Sequence, residues 1–360
     1  MAYAPLCHAA ARSLRARRRW LSESALTRRC SSSSGATAGY TVAGTSTLPP
    51  PVPCFWADWA EVPLPEGHRF PMDKYRTVRL QLENDPSLTG RLQLVPSPLA
   101  SLSDVTRVHC PTYVDAAING TLSPAEQRAI GFPWSRAHVQ RSLASTGGTV
   151  AATRLVLSSW PKVGLRCAMQ VAGGTHHAHR SKGGGFCVFN DIACAAAAAM
   201  DEAGVSRVLV IDLDVHRGDG TAAIFAEEPR VTTFSMHGYN NYGNRTGLPS
   251  DYDVDLPDAT SDEVYLQTLN AWLPRLFDTH MPELVFFQAG VDALVGDSFG
   301  RLAVSRAGLQ ARNNAVYTAC LQAGVPLVIT MGGGYTRPID ASVEAHADVF
   351  RTAALRFSVP

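Results

Sequence analysis

Asp212, Asp214 and His216 alternate along Asp212-Leu213-Asp214-Val215-His216. At the end of an extended strand alternate side chains point the same way, so the three can share a face. Carboxylate oxygens and an imidazole nitrogen are hard-to-borderline donors that suit zinc or iron(II). On its own such a triplet is equally a salt-bridged strand end. A further ligand is available in Asp292, within Gln288-Ala289-Gly290-Val291-Asp292, just past another apolar run. Two carboxylates and one imidazole leave positions open for water and substrate, as a catalytic metal site requires. His176-His177 follows Gly173-Gly174-Thr175 and can present two imidazoles to one pocket, one as base and one as electrostatic partner. Asp212 and Asp219 are available to orient those rings. Gly332-Gly333-Gly334-Tyr335 lets the backbone approach a ligand closely, and Tyr335 can offer an O–H to a developing oxyanion. The same run lacks the Lys-Ser/Thr of a phosphate-binding loop.

These residues need elements that bring them together. Val208–Ile211, Val231–Phe234, Leu284–Phe287 and Pro326–Thr330 are short apolar runs without alternation, the pattern of strands buried on both faces. Ile192–Ala203, Asp262–Phe277 and Ser305–Ala323 read as helices between them. Such an alternation predicts one doubly wound α/β domain with a mostly parallel sheet flanked by helices. Polar, Gly-rich clusters follow the four strands: 212–220, 235–238, 288–296 and 332–335. In open α/β sheets the ligand crevice lies at the carboxyl ends of the strands, so these clusters are expected to converge there. The segment 183–191, Gly-Gly-Gly-Phe-Cys-Val-Phe-Asn-Asp, offers Phe186 as the wall of a narrow apolar slot.

Composition sets the outer bounds. The chain has 360 residues, 46% hydrophobic and 18% charged, as in a globular enzyme. Net charge is +1, from 32 basic and 31 acidic side chains, which gives no electrostatic reason to expect nucleic-acid binding. The eight cysteines form no C-x-x-C pair, which argues against a cysteine-ligated zinc knuckle. No apolar run approaches the length of a membrane span. The front of the chain is different. Residues 1–45 hold Arg12, Arg15, Arg17, Arg18, Arg19, Arg28 and Arg29 but only one acid, Glu23, with serines at 31–34. Arg-rich, Ser-rich and acid-poor is the composition of an organellar transit peptide, for a mitochondrion or a chloroplast; a basic tail on a cytoplasmic or nuclear protein is the alternative. Residues 46–60, with Pro49-Pro50-Pro51-Val52-Pro53, read as a stiff linker, and 61–360 as the catalytic domain.

Taken together, the motifs resemble the histone deacetylase superfamily, with its arginase–deacetylase fold. The matching blocks are 173–178 (GGTHHA), 183–191 (GGGFCVFND), 210–221 (VIDLDVHRGDGT), 288–297 (QAGVDALVGD) and 331–335 (MGGGY), in family order. Residues 64–76 and 120–135 look like the class IV-like branch, which includes many bacterial members, so the resemblance covers nearly everything after Glu61. It implies that Asp214, His216 and Asp292 bind one zinc ion. His177 would be the general base, paired with Asp219, and His176 its electrostatic partner, paired with Asp212. Tyr335 would polarise the scissile carbonyl. A structural potassium ion is implied at Asp212, Asp214, His216, Ser235 and Met236. The acyl-lysine tunnel would be lined by Gly185, Phe186, Tyr242, Gly333 and Gly334. The activity implied is zinc-dependent hydrolysis of acyl-amides, chiefly acetyl-lysine in proteins, with acetylated small amines or longer acyl-lysines as alternatives. The family's acidic rim residue, which grips the substrate backbone, has no counterpart within 106–133. An arginase-like ureohydrolase on the same fold would need an Asp two residues after the ligand histidine, where this chain has Gly218.

Overall fold

Each apolar run that predicts a strand forms one in the computed structural model, which describes residues 50–244 and 247–358. The transit-peptide segment 1–45 lies outside the described residues. The strands are β1 (Val52–Trp56), β2 (Leu92–Pro96), β3 (Cys167–Val171), β4 (Val208–Asp212), β5 (Val231–Gly238), β6 (Tyr252–Leu256), β7 (Leu284–Gln288) and β8 (Leu327–Thr330). They form one eight-stranded sheet in the order β2-β1-β3-β8-β7-β4-β5-β6. Every pairing is parallel.

Alternation along the central strands explains their uniform apolarity. Leu209, Ile211, Val285, Phe287, Leu327 and Ile329 enter one hydrophobic cluster, whereas Val208, Val210, Leu284, Phe286 and Val328 enter another on the opposite face. The first face is covered by α1 (Lys74–Glu83), and the small helices α2 (Leu102–Thr106), α3 (Pro111–Asn119) and α4 (Pro124–Ile130) follow it in the chain. The second face is covered by the long α5 (Arg136–Val163), the alanine-rich α6 (Asp191–Ala203) and α7 (Asp219–Phe225). The chain then returns to the first face with α8 (Asp262–His280), α9 (Arg306–Ala323) and α10 (Asp340–Phe357). Burial of Ile192 through Met200 along α6 reflects its small side chains, which let it pack tightly against α5 and the sheet.

Two sequence expectations need correction. Residues 46–60 are not a linker throughout: Val52, Cys54 and Phe55 are buried in β1, which pairs with β2 and β3. Pro53 is tolerated because the pairing with β3 begins only at Cys54, so no ladder hydrogen bond to that neighbour is lost there. The cluster 235–238 is not a loop after β5 but its final half.

Candidate active site

β3, β8, β7 and β4 are consecutive in the sheet, and the four segments leaving their carboxyl ends carry the predicted chemistry. His176 and His177 follow β3, Asp214 and His216 follow β4, Asp292 follows β7, and Tyr335 follows β8. The structure brings the donor atoms of Asp214, His216 and Asp292 within 4.8 Å of one another. His216 Nδ1 lies 2.9 Å from Asp214 Oδ1 and 3.0 Å from Asp292 Oδ2. Ligand atoms on a tetrahedral zinc at its usual bond lengths stand about 3.3 Å apart, so this triangle needs little adjustment to hold one.

The remaining carboxylate oxygens are held by the protein. Gly333 N–H and Gln288 Nε2 donate to Asp214 Oδ2 at 2.8 and 2.9 Å, and Val215 N–H donates to Asp292 Oδ1 at 2.8 Å. A side chain at Gly333 would collide with Asp292 Oδ2, so the glycine is what admits this approach of backbone to ligand. Both carboxylates are buried, Asp292 completely. Burial and the neighbouring Asp214 charge push the Asp292 carboxyl up. Two such groups with one imidazole form a donor set that a divalent cation would relieve, and zinc fits it.

The histidine pair is oriented from behind. His176 Nδ1 hydrogen-bonds Asp212 Oδ2 at 2.6 Å, and His177 Nδ1 hydrogen-bonds Asp219 Oδ1 at 2.6 Å. The two rings stand 4.1 Å apart. Burial works against charge on His176, but Asp212 and Asp214 outweigh it and hold its pKa up at about 9. Burial and the charged His176 push His177 down to about 4, against the pull of Asp219. The surroundings of these adjacent, similarly buried imidazoles thus pull in opposite directions, favouring the charged form of His176 and the neutral, proton-accepting form of His177. Gly218 makes room for this arrangement, since a Cβ there would collide with Asp212 Oδ2.

A cavity of about 390 Å³ opens onto these groups. Of the predicted tunnel residues, Gly185, Phe186, Tyr242 and Gly333 line it. Gly334 does not. Its position faces away from the cavity, toward His346, and its carbonyl accepts from Lys74 Nζ at 3.1 Å. Phe186 holds a left-handed backbone, φ +67°, uncommon for an aromatic residue, and is braced by hydrogen bonds from its N–H to Ile130 O and from Gly185 N–H to Ala129 O. Tyr242 meets His177 edge-on with ring centroids 4.9 Å apart. Burial, with the charges of Asp292 and Asp214, pushes the Tyr335 phenol well above its ordinary value, so it stays protonated as a donor. Ser235 and Met236 lie inside β5, with Ser235 in register with Asp212.

Several residues here escape sequence reasoning. Phe299 faces Phe186 across the cavity at 6.3 Å and packs against Tyr335 at 4.9 Å. Asp297 accepts from the backbone N–H groups of Phe299, Gly300 and Tyr335, tying the segment after β7 to that after β8. Lys74, fully buried, sits with its ammonium 4.6 Å from the Tyr335 ring centre. Burial lowers its pKa to about 8, against the upward pull of Asp292, Asp297 and Asp214. Arg312 on α9 donates to the carbonyls of Leu213, Ala289 and Gly290, bracing from beneath the segments that carry Asp214 and Asp292. Asp297 closes an already noted block, and that proximity could have marked it; a lysine or arginine in a helix carries no comparable signal.

With this geometry stands a match over residues 68–350 to the histone deacetylase domain. The chain belongs to the histone deacetylase family. It is 43% identical over 291 residues to an uncharacterized protein of Picosynechococcus, covering 81% of this chain and 94% of that one. It is 29% identical to histone deacetylase 2 of Arabidopsis thaliana, covering 75% and 70% of the two chains. To the histone deacetylase-like amidohydrolase of Pseudomonas aeruginosa it is 28% identical, covering 77% and 75%. Among solved structures, the HD domain of HDA15 superposes with a TM-score of 0.70 at 21% identity, covering 84% of this chain and 91% of that one, a likeness of fold. As a member of the family, the protein is a hydrolase of amide bonds.

Proposed function

We propose that the protein is a zinc-dependent deacylase whose substrates are acyl-lysines, acetyl-lysine in proteins first among them. The observation that carries this reading is the convergence of Asp214, His216 and Asp292 on one point beneath a cavity shared with His177 and Tyr335. Zinc held by those three residues would supply Lewis-acid polarisation and lower the pKa of water there. The chain's own groups do the rest. Neutral His177, fixed by Asp219, takes the proton of the attacking water. Tyr335 donates its O–H to the oxyanion that forms on the former carbonyl. His176, kept charged by Asp212, adds positive field at the same place, and a protonated histidine returns a proton to the departing amine. The products are a carboxylate and a free amine.

Potassium is part of the same proposal, at Asp212, Asp214, His216, Ser235 and Met236, supported by the register of β4 against β5. Import into a mitochondrion or chloroplast is proposed from the acid-poor, arginine-rich leader. A two-metal ureohydrolase is disfavoured on a specific point: the carboxylate it needs at position 218 has no room beside Asp212.

Elemental analysis of the purified protein, paired with assays on acyl-lysine peptides of graded chain length and on acetylated polyamines, tests the reading. About one divalent ion per chain and release of a carboxylate from acetyl-lysine peptides, abolished by a hydroxamate or by chelation, are expected. Two manganese ions per active chain, or hydrolysis of none of the acyl-amides, would overturn it.

A further inference from the structure

We infer that the mouth of this cavity selects acyl-amides carrying a carboxylate on the amine side of the scissile bond. The inference rests on the deacylase reading, because it assumes that the amine portion of the substrate leaves through the mouth. Arg69 and Arg301 both line the cavity that reaches His177 and Tyr335. Arg69 is exposed, yet its guanidinium lies 5.5 Å from the centre of the Phe299 ring, which holds it at the entrance beside the aromatic wall. An adjoining recess shares Arg69, Gly185, Phe186 and Tyr242 with the cavity and adds Arg128. Among the described residues Arg69 and Arg128 take part in no ion pair. Arg301 has Asp258 at 3.6 Å, a half-exposed partner that neutralises one of the three charges. Among the described residues no carboxylate lines either opening except Asp214 on the cavity floor.

The rim is therefore positive by about two charges, although the whole chain is nearly neutral at +1. The segment 106–133, which supplies no acidic grip, contributes Arg128 instead, while its acids are engaged elsewhere. Glu126 caps its own helix through Ser123, and Asp115 accepts from Asn119. All three rim cations are arginines, whose planar fork matches a carboxylate in two parallel hydrogen bonds. The same field repels a polyamine, whose amine side is cationic. Two sources present the required anion: acidic side chains flanking an acyl-lysine in a peptide, and the α-carboxylate of free Nε-acetyl-lysine.

The test uses the full, metal-loaded protein and matched probes: acetyl-lysine peptides flanked by Glu or by Lys, free Nε-acetyl-lysine against its carboxamide, and N-acetylspermidine. At low ionic strength kcat/KM for the Glu-flanked peptide should exceed that for the Lys-flanked one by about tenfold, the scale of two exposed charge pairs. High salt should shrink the ratio. Arg69→Gln with Arg128→Gln should bring it close to one. A preference for the carboxylate over the carboxamide of free acetyl-lysine would place the source in small molecules as well as peptides. Fluorescence-anisotropy binding of the same peptides reads the rim without turnover. Preferential binding of the Glu-flanked peptide with no hydrolysis of any probe would leave the rim standing and remove the deacylase reading. Equal affinities and rates for the two peptides, or a preference for N-acetylspermidine, would overturn the inference.

Discussion

Tyr335 and Asp292 sit close together but have separable tasks, and substitution should separate them. Tyr335→Phe removes one hydroxyl and leaves the ring between Phe299 and Lys74, along with the backbone held by Asp297. Loss of one oxyanion donor costs about 2.7–4 kcal/mol of transition-state stabilisation, so kcat should fall roughly a hundred- to thousandfold while metal content stays at about one per chain. Asp292→Ala removes one of the three groups proposed to hold the metal and leaves His216 and Asp214 without their third partner, so metal content and activity should be lost together. His177→Ala should behave like the tyrosine variant. Near-normal turnover by Tyr335→Phe on the best acyl-amide substrate would show that another group stabilises the oxyanion. At this scale the sequence was informative where function imposes a local pattern. The alternation Asp212-Asp214-His216, the doubled histidine and the glycine-tyrosine turn are each visible within a few residues. Lys74, Arg312 and Phe299 were not visible, because their roles come from contacts with residues far along the chain. Gly334 misled for the opposite reason: adjacent to Gly333, it faces the other side of the backbone.

The same distinction holds for the elements. β4, β7 and β8 are buried on both faces and read as bare apolar runs, so strand identity followed directly from burial. β2 and β6 are edge strands whose residues, Leu256 apart, are at least partly exposed, and Asp253 and Asp255 in β6 hide it as polar sequence. β1 was hidden by Pro53 and the three prolines that precede the strand. The 28-residue α5 was obscured by Gly147-Gly148 in its middle, where side chains would strike the Pro98 carbonyl and Gln170. That helix accepts a low-propensity pair for the sake of close packing. A consequence for the site lies on α9. Arg312 is fully buried and satisfies three carbonyls of the segments carrying Asp214 and Asp292. Arg312→Leu should leave those carbonyls unpaired in a dry interior, at a cost of about 3–5 kcal/mol. Thermal unfolding should show a marked drop in midpoint, and metal affinity should weaken because the ligand segments lose their common brace. An unchanged unfolding curve with unchanged metal affinity would show that water replaces the guanidinium.

Across the whole molecule the first strand sets a limit on what can be removed. β1 fills the position between β2 and β3, and Val52 and Cys54 are completely buried there. A protein trimmed at residue 60, where the Pro-rich stretch suggested the domain would begin, would lose this strand and leave β2 without the partner it has among the described residues. The arginine-rich leader ends before that strand, so a break at 48 keeps all eight strands intact. Two truncations therefore differ in outcome for a physical reason. Removal of residues 1–48 should give a folded, metal-binding enzyme with full turnover, whereas removal of 1–60 should give insoluble or molten protein. The excised piece, fused to a fluorescent protein, should by itself direct the fusion into a mitochondrion or plastid, because an acid-poor stretch bearing seven arginines is the composition that organellar import machinery accepts. Diffuse cytosolic or nuclear fluorescence of that fusion would refute import and leave the leader as a basic tail. Loss of turnover on removing 1–48 would instead tie the leader to the catalytic domain, a role that its composition does not suggest.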